Sequence, residues 1–470
     1  MKKILIRASM LPFDNPTMGE VLRYNLFGYN MGNLIFQASV VKSLMTDDDV
    51  EFKSIAFDTP EISLADYEEI NSTYDCFVIP LANAFRKSFA VELNRITKFV
   101  RNLRIPCYVV GVGAQMDLKG ETSAKGYEEQ VHAFVDAILE KSSIIGVRGE
   151  ATGDYLKKLG YKEDRDYMVI GCPSLFYYGD TLPKAEIKEL TPDSRISVSR
   201  KDATPEQFHK FMNRQLEIFP NHWFIPQTVQ DFAVQYAGVP FSVPNYPETE
   251  GSPHYPIKYD NRIYQEDRAP AFLNFRTWID FLKDKDFAFG SRIHGNIAPI
   301  LAGVPAYVFS SDYRVQELAE YHNIPNTPLT EVREDTNIFE IYDKADFDGI
   351  HRGHKERFER YVSFLKKNGI ANIYDGEHEY DLLPFDKKLG SIEFRGPEHS
   401  FCSLDEAGRE ERTFEYNIIQ QQIIRDLRES RGVLSRELNR YMRNEKKKVS
   451  LDDSFSSIVK NAARHKLKTR

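Results

Sequence analysis

Residues 284–314, DKDFAFGSRIHGNIAPILAGVPAYVFSSDYR, decide the fold. A short apolar run at 286–290 ends in Gly290. Ile297, Ile300 and Leu301 then recur at helical spacing until Gly303 and Pro305 stop the helix, and a second strand-like run follows. Strand, turn, helix and strand in that order form the repeating unit of a parallel sheet. The turn carries Arg292 and His294. In an open parallel sheet such a turn lies at the carboxyl edge of the strands, where the free N–H groups of the following helix favour negative charge. An anionic substrate is therefore expected. The same turn could also merely cap a helix, with Arg292 in a surface ion pair and His294 bonded to a nearby carbonyl.

A second turn of this kind lies at 142–161, SSIIGVRGEATGDYLKKLGY. Its apolar run ends in Arg148-Gly149 and opens a helix whose Tyr155, Leu156 and Leu159 share one face. Two arginines thus occupy matching strand ends. Around them the chain alternates Val/Ile-rich runs with amphipathic segments: KILIRAS, a helix from about 32 to 44, CFVIPLA, a helix through VELNRITKFVRNL, CYVVGVGAQ, then DYMVIGCPSLF. Such alternation predicts a doubly wound α/β sheet. The scheme repeats in SRISVSR, HWFIPQTVQDF, FAFGSR and PAYVFSS, after a linker at 181–195 rich in proline and charge and around a Pro/Tyr-rich insertion at 239–270. The expected division is 1–185, a Rossmann-like domain; 186–375, a second one with the SRIHG segment; and 376–470, an irregular stretch followed by a basic helical extension. Within 346–368 an amphipathic helix is expected to return toward the first domain. In 411–443, Phe414, Ile418, Ile419, Ile423 and Leu427 form a stripe, broken at Gly432, that suits homo-oligomerisation or packing on the body.

The 470 residues are too many for one ordinary core. With 41% hydrophobic and 28% charged residues, the composition is that of a soluble globular protein. No segment approaches the roughly 20 continuous apolar residues of a membrane span. The start, MKKILIRASMLPFD, reads as a buried strand rather than a signal peptide, so a cytoplasmic protein is expected. Cys76, Cys107, Cys172 and Cys402 are scattered, which suggests reduced thiols and neither zinc nor disulfides. The net charge of −8 conceals a basic tail: residues 431–470 hold 12 Lys/Arg against 4 Asp/Glu. That tail suits a solvated helix, a disordered arm, or a patch meeting anionic lipid head groups or an acidic partner. No nucleic-acid partner is expected.

The segments NMGNLIFQASVVKSL, VVGVGAQ, GVRGEATGDYLKKLG, VIGCPSLF and SRIHGNIAPILAGVPAYVFSSDYR together resemble the polysaccharide pyruvyl transferase family over about 25–375. The Ser-Arg-x-His-Gly segment is the most specific of them. The resemblance implies two Rossmann-like halves facing a cleft, as in two-domain (GT-B type) glycosyltransferases. It also implies phosphoenolpyruvate as donor and a sugar or lipid-linked saccharide as acceptor; the residues themselves suggest no cofactor or metal. Arg148 and Arg292 become donor ligands and His294 the acid. Where the family commonly shows Asn-x-Gly-Asp this chain has Asn30, Gly32 and Asn33, and where a lysine commonly follows the last strand it has Arg314. These four positions are carried over as substrate-binding.

The chemistry asks for such residues. Guanidinium grips carboxylate or phosphate with two parallel hydrogen bonds. Histidine titrates near neutrality, and a nearby phosphate would favour the protonated form that gives C3 of the enol its proton. Asp14 and Asp312 are guesses for the base that takes the acceptor's proton. GVGAQM lacks the third glycine of a dinucleotide fingerprint, so NAD is not expected. His351 and His354 read as a solvated helix face rather than a metal pair, the glycines of VVGVGAQ as a tight turn, and Asn30 and Asn33 equally as caps or substrate contacts. Tyrosines in 239–264 suit sugar stacking or loop packing. Two other functions stay open: a glycosyltransferase with a nucleotide-sugar donor, and a non-catalytic partner in polysaccharide assembly.

Overall fold

The computed structural model describes residues 2–55, 63–115, 126–239, 254–376 and 381–444. The chain divides into two compact units, Met1–Thr413 and Phe414–Arg470. Within the first, β1 (Lys3–Arg7), β2 (Glu51–Ile55), β3 (Cys76–Pro80) and β4 (Cys107–Val110) form a parallel sheet in the order β2-β1-β3-β4. A parallel bridge from Val112 to Val147 carries the sheet on to β5 (Ile145–Val147) and β6 (Tyr167–Val169). The strands β3, β4, β5 and β6 are buried throughout, as expected of strands covered on both faces. Phe77, Phe99, Phe134 and Leu156 are among the side chains of their shared core.

A second parallel sheet has the order β11-β10-β9-β7-β8, built from β7 (Ile196–Ser199), β8 (His222–Phe224), β9 (Phe287–Gly290), β10 (Ala306–Ser310) and β11 (Asn326–Pro328). Its core is aromatic, with Phe208, Phe211, Phe287, Phe289 and Phe309. Residues 181–195, between the sheets, contain no helix or strand. The expected α/β architecture with two parallel, Rossmann-like sheets is what the chain adopts.

The helix His354–Lys367 returns from the second sheet to the first. Arg360 Nε donates to the Val169 carbonyl at 2.8 Å, and Tyr361 stacks on Phe176 with centroids 5.4 Å apart. Asn368, at the helix end, accepts from Ser143 and Ile144 N–H and donates to the Ile144 carbonyl. The predicted return of the chain is therefore present, though the helix begins at His354, after Gly353 in a left-handed turn.

Three expectations need correction. His354 is not on a solvated face: it is buried, its Nε2 is 3.1 Å from the Gly179 carbonyl, and its ring lies against Phe176. The stretch from 376 onward expected to be irregular is not wholly so, because Pro384 starts a helix to Gly390 that buries Phe385 and Leu389, and Asp386 pairs with Lys42 at 2.9 Å. Gly432 does not break the last helix, which runs from Glu406 to Asn444; one glycine costs a helix only about 1 kcal/mol. On that helix Phe414 and Leu427 are exposed. Most of the basic tail, 445–470, lies outside the described residues, as does 240–253 of the Pro/Tyr-rich insertion. Of the tyrosines described there, Tyr255 and Tyr264 are buried, so loop packing accounts for those two. The four cysteines form no disulfide, and among the described residues no helix is long and apolar enough to cross a membrane.

Candidate active site

Each sheet has one place where neighbouring strands lead off in opposite directions, β1 beside β3 and β7 beside β9. Ligands of open α/β sheets bind outside the carboxyl ends of such strands. Here both places open onto one cleft of about 700 Å³. Arg7 and Pro80 reach it from the first sheet, Lys201 and Arg292 from the second. Arg86, Arg95, Arg148 and Arg314 add further positive charge, while Glu92 is the carboxylate lining the cleft among the described residues. A cleft lined by one sign of charge concentrates ligands of the other.

Backbone constraints set the geometry of the two arginine turns. Gly290 takes φ +154°, and a Cβ there would lie 1.7 Å from the Ser199 carbonyl oxygen, so only glycine lets β9 turn against β7 into Ser291-Arg292. After β5, Gly149 starts the helix Glu150–Lys158, and a Cβ on it would meet the Glu317 carboxyl at 2.4 Å. Glu317 Oε1 accepts the Thr152 N–H at 3.0 Å, so a side chain from the second half of the chain caps the helix that begins beside Arg148. The VVGVGAQ glycines behave similarly: Gly111 has φ +72°, and a Cβ on Gly113 would lie 2.8 Å from the Ala82 carbonyl.

Arg148 is 5% exposed, and its Nε and Nη2 have no hydrogen-bond partner. Burial pushes its pKa down from the ordinary guanidinium value, partly offset by the adjacent Cys172. A buried, unpaired cation is costly to keep. Arg292 is more firmly held, with Nε donating to the Arg200 carbonyl at 2.9 Å and Nη2 3.9 Å from Asp231. Asp231 in turn accepts from Tyr255 Oη and from the Gln227 and Thr228 N–H groups. Arg314 and Lys201 converge on Asp312 at 3.0 and 2.7 Å.

His294 opens the helix His294–Leu301 and is buried. Its Nε2 lies 3.2 Å from Ser174 Oγ and 3.9 Å from Cys172 Sγ, whereas Nδ1 makes no hydrogen bond within the described residues. Burial first, and the Arg148 charge second, push its pKa down to about 3. Without a ligand the imidazole is therefore neutral at neutral pH, and the protonated form expected from the sequence would require a bound anion to offset both effects.

Arg148, Arg292, Arg314, His294, Asn30 and Asn33 all line this cleft. Gly32 does not; it backs the His294 ring, and a Cβ on it would lie 2.6 Å from His294 Cβ, Cγ and Nδ1. Asn30 Oδ1 accepts the Gly32 N–H, and Asn33 Nδ2 donates to the Phe27 and Gly28 carbonyls. An aspartate at 33 could not donate those bonds, which gives the neutral amide a structural reason. Neither guessed base fits. Asp14 is an exposed turn residue whose carboxylate accepts from the Leu11 N–H. Asp312 caps the helix Tyr313–Tyr321; burial would raise its pKa, but Lys201 and Arg314 hold it well below the usual carboxylate range. The sequence reading missed Arg7, Lys201, Glu92 and Gln227. Gln227 is 1% exposed and neither amide atom has a partner. Arg7 and Lys201 had a usable signal, since each lies at or just after the end of a central strand.

Solved structures that cover most of the chain align loosely and at low identity. A putative UDP-N-acetylglucosamine 2-epimerase from Listeria monocytogenes is 12% identical, with TM-score 0.36, 83% of this chain and 94% of that chain covered. The UDP-GlcNAc 2-epimerase from Neisseria meningitidis is 10% identical, with TM-score 0.41 and 78% and 100% covered. That from Methanocaldococcus jannaschii is 12% identical, with TM-score 0.38 and 78% and 99% covered. No curated protein matches the chain. The model of the polysaccharide pyruvyl transferase family matches residues 41–313, a stretch that contains Arg148, Arg292 and His294 and leaves Asn30, Gly32, Asn33 and Arg314 just outside it. With more than half of its length so matched, the chain belongs to the polysaccharide pyruvyl transferase family and is a transferase-type enzyme.

Proposed function

We propose that this enzyme transfers the pyruvyl skeleton of phosphoenolpyruvate to two hydroxyls of a sugar in a polysaccharide precursor, forming a ketal and releasing phosphate. The observation that carries the reading is Arg148, a buried guanidinium with two unpaired nitrogens beside His294 in a cation-lined cleft. Such a group gains most from a ligand that brings carboxylate and phosphate together. Arg148 and Arg292 take those anionic groups, with Lys201 and Arg314 held by Asp312 at the edge of the same cleft. His294 Nδ1 faces the donor and passes a proton to C3, which leaves an oxocarbenium-like C2 for a sugar hydroxyl to attack. Attack by a second hydroxyl with loss of phosphate closes the ketal. Glu92 suits the acceptor side, where its carboxylate lies 3.9 Å from Arg7 and 3.6 Å from Arg95.

The test is phosphate release from phosphoenolpyruvate in the presence of free, nucleotide-linked and lipid-linked sugars. Acceptor-dependent release, with a product heavier by the pyruvyl ketal, is expected. Consumption of a nucleotide sugar with phosphoenolpyruvate untouched would make the protein a glycosyltransferase instead. Absence of both activities together with no phosphoenolpyruvate binding would favour a non-catalytic role.

A further inference from the structure

Cys172 follows β6 and stands behind His294, with Sγ 3.9 Å from Nε2. The position is closely built: the Cys172 N–H donates to His322 Nε2 at 3.0 Å, and Gly171, at φ +69°, leaves no room for a Cβ against that ring. The thiol is buried and forms no disulfide. Arg148 is buried with Nε and Nη2 unpaired, and the Cys172 sulfur acts to raise its pKa against the effect of burial.

A buried neutral imidazole is a poor acid by itself, because loss of its one proton leaves an imidazolate. It can release a proton from Nδ1 only if Nε2 receives one. Ser174 Oγ and Cys172 Sγ are the groups at Nε2. An ordinary thiol, with a pKa of about 8.5, is far the stronger acid of the two types. We infer that Cys172 is a proton relay for His294: the thiol passes its proton to Nε2 as Nδ1 passes one to C3 of the enol donor, and the resulting thiolate is neutralised by Arg148.

The step balances. The S–H and Nδ1–H bonds break, Nε2–H and C3–H form, and the electron pair of the C=C bond makes the new C–H bond. When the acceptor oxygen bonds to C2, its proton returns through the imidazole to the thiolate. The second hydroxyl's proton leaves with phosphate. Cys172 acts through His294 and is a positioning residue in this sense. The charge acting on His294 is that of Arg148; Glu317, Asp312 and Arg314, on or at the helix Tyr313–Tyr321, act on Arg148, and Arg357 and His354 of the helix His354–Lys367 act on His322, whose Nε2 accepts the Cys172 N–H.

This inference rests on the pyruvyl-transfer reading, so its test has two arms. In the first, Cys172→Ala and Cys172→Ser should bind phosphoenolpyruvate within about threefold of wild type, while phosphate release falls by about 10²-fold in the alanine variant. Cys172→Asp should recover part of the rate, because a carboxylate favours the imidazolium form, and should move the acidic limb of the pH profile. Wild-type turnover in Cys172→Ala, or a loss confined to donor binding, overturns the relay. The second arm needs no turnover. In nitrogen-15-histidine-labelled protein His294, identified by its loss in His294→Gln, should carry its proton on Nδ1 with Nε2 accepting, and Cys172→Ala should shift the Nε2 resonance. A proton held on Nε2, or an Nε2 resonance unmoved in Cys172→Ala, overturns the relay even if pyruvyl transfer is confirmed, whereas failure of wild-type phosphate release counts against the function alone.

Discussion

Gly32 and His294 meet with no space between them: a Cβ on Gly32 would lie 2.6 Å from the histidine's Cβ, Cγ and Nδ1. One comes from the start of a helix beside the first sheet and the other from the turn after β9, so the imidazole is positioned by residues from both sheets. Gly32→Ala should push His294 away together with the first turn of its helix, because the contact includes His294 Cβ, which rotation of the ring cannot move. Overpacking of this kind typically costs about 1–3 kcal/mol. The expected result is a folded protein that still binds phosphoenolpyruvate by calorimetry and turns over at least about tenfold more slowly. Wild-type turnover would show that His294 tolerates displacement.

Arg148 sets stability against function. Arg148→Met removes a buried cation with unpaired nitrogens. Leaving a buried polar group unpaired costs about 1–3 kcal/mol, so chemical denaturation should show a gain of that order. The same variant should lose measurable affinity for phosphoenolpyruvate. A destabilised variant with intact affinity would remove Arg148 from the site.

The buried histidines predict acid sensitivity. His294 is held near pKa 3 when folded, against about 6.5 for an unperturbed histidine. Between those values the unfolded chain binds the extra proton, so stability rises with pH through the window and is progressively lost as pH falls below 6.5 toward 3. His209, pushed down to about 4 by burial, and His322, which burial holds well below the ordinary histidine value, add to the slope. The contribution of one site is at most about 1.4 kcal/mol per pH unit. Denaturation midpoints measured across this window should fall less steeply in His294→Gln than in the wild type.

Asp312 separates positioning from base catalysis. It organises Lys201 and Arg314 and is held well below the usual carboxylate range. Asp312→Asn should therefore raise KM for phosphoenolpyruvate by about tenfold, or about 1.4 kcal/mol, with kcat kept within a few fold. A fall in kcat of about 10²-fold or more at unchanged KM would restore Asp312 as the base.

Much of this was legible because strand periodicity and glycine placement are local. The α/β alternation, the turns bearing Arg148 and Arg292, and the start of the helix at Gly32 could be read from spacing, and they correspond to β5, β9 and the helix Gly32–Leu44. What could not be read depends on contacts across the chain. Gly32 looked like a substrate contact because nothing local reveals that His294, 262 positions later, fills the space a side chain would need. Asp312 looked like a free carboxylate because Lys201, at the end of another strand, is not its neighbour in sequence. His354 looked solvated because its partner, the Gly179 carbonyl, belongs to the other half of the chain. Arg7 and Lys201 were readable in principle, had the rule about central strand ends been applied to β1 and β7 as it was to β9.

A crystal structure of the protein with phosphoenolpyruvate bound tests the central claim most directly. The account predicts the donor's anionic groups on Arg148 and Arg292, with C3 about 3–3.5 Å from His294 Nδ1. A donor molecule bound away from Arg148, or one whose C3 faces neither nitrogen of His294, would contradict it.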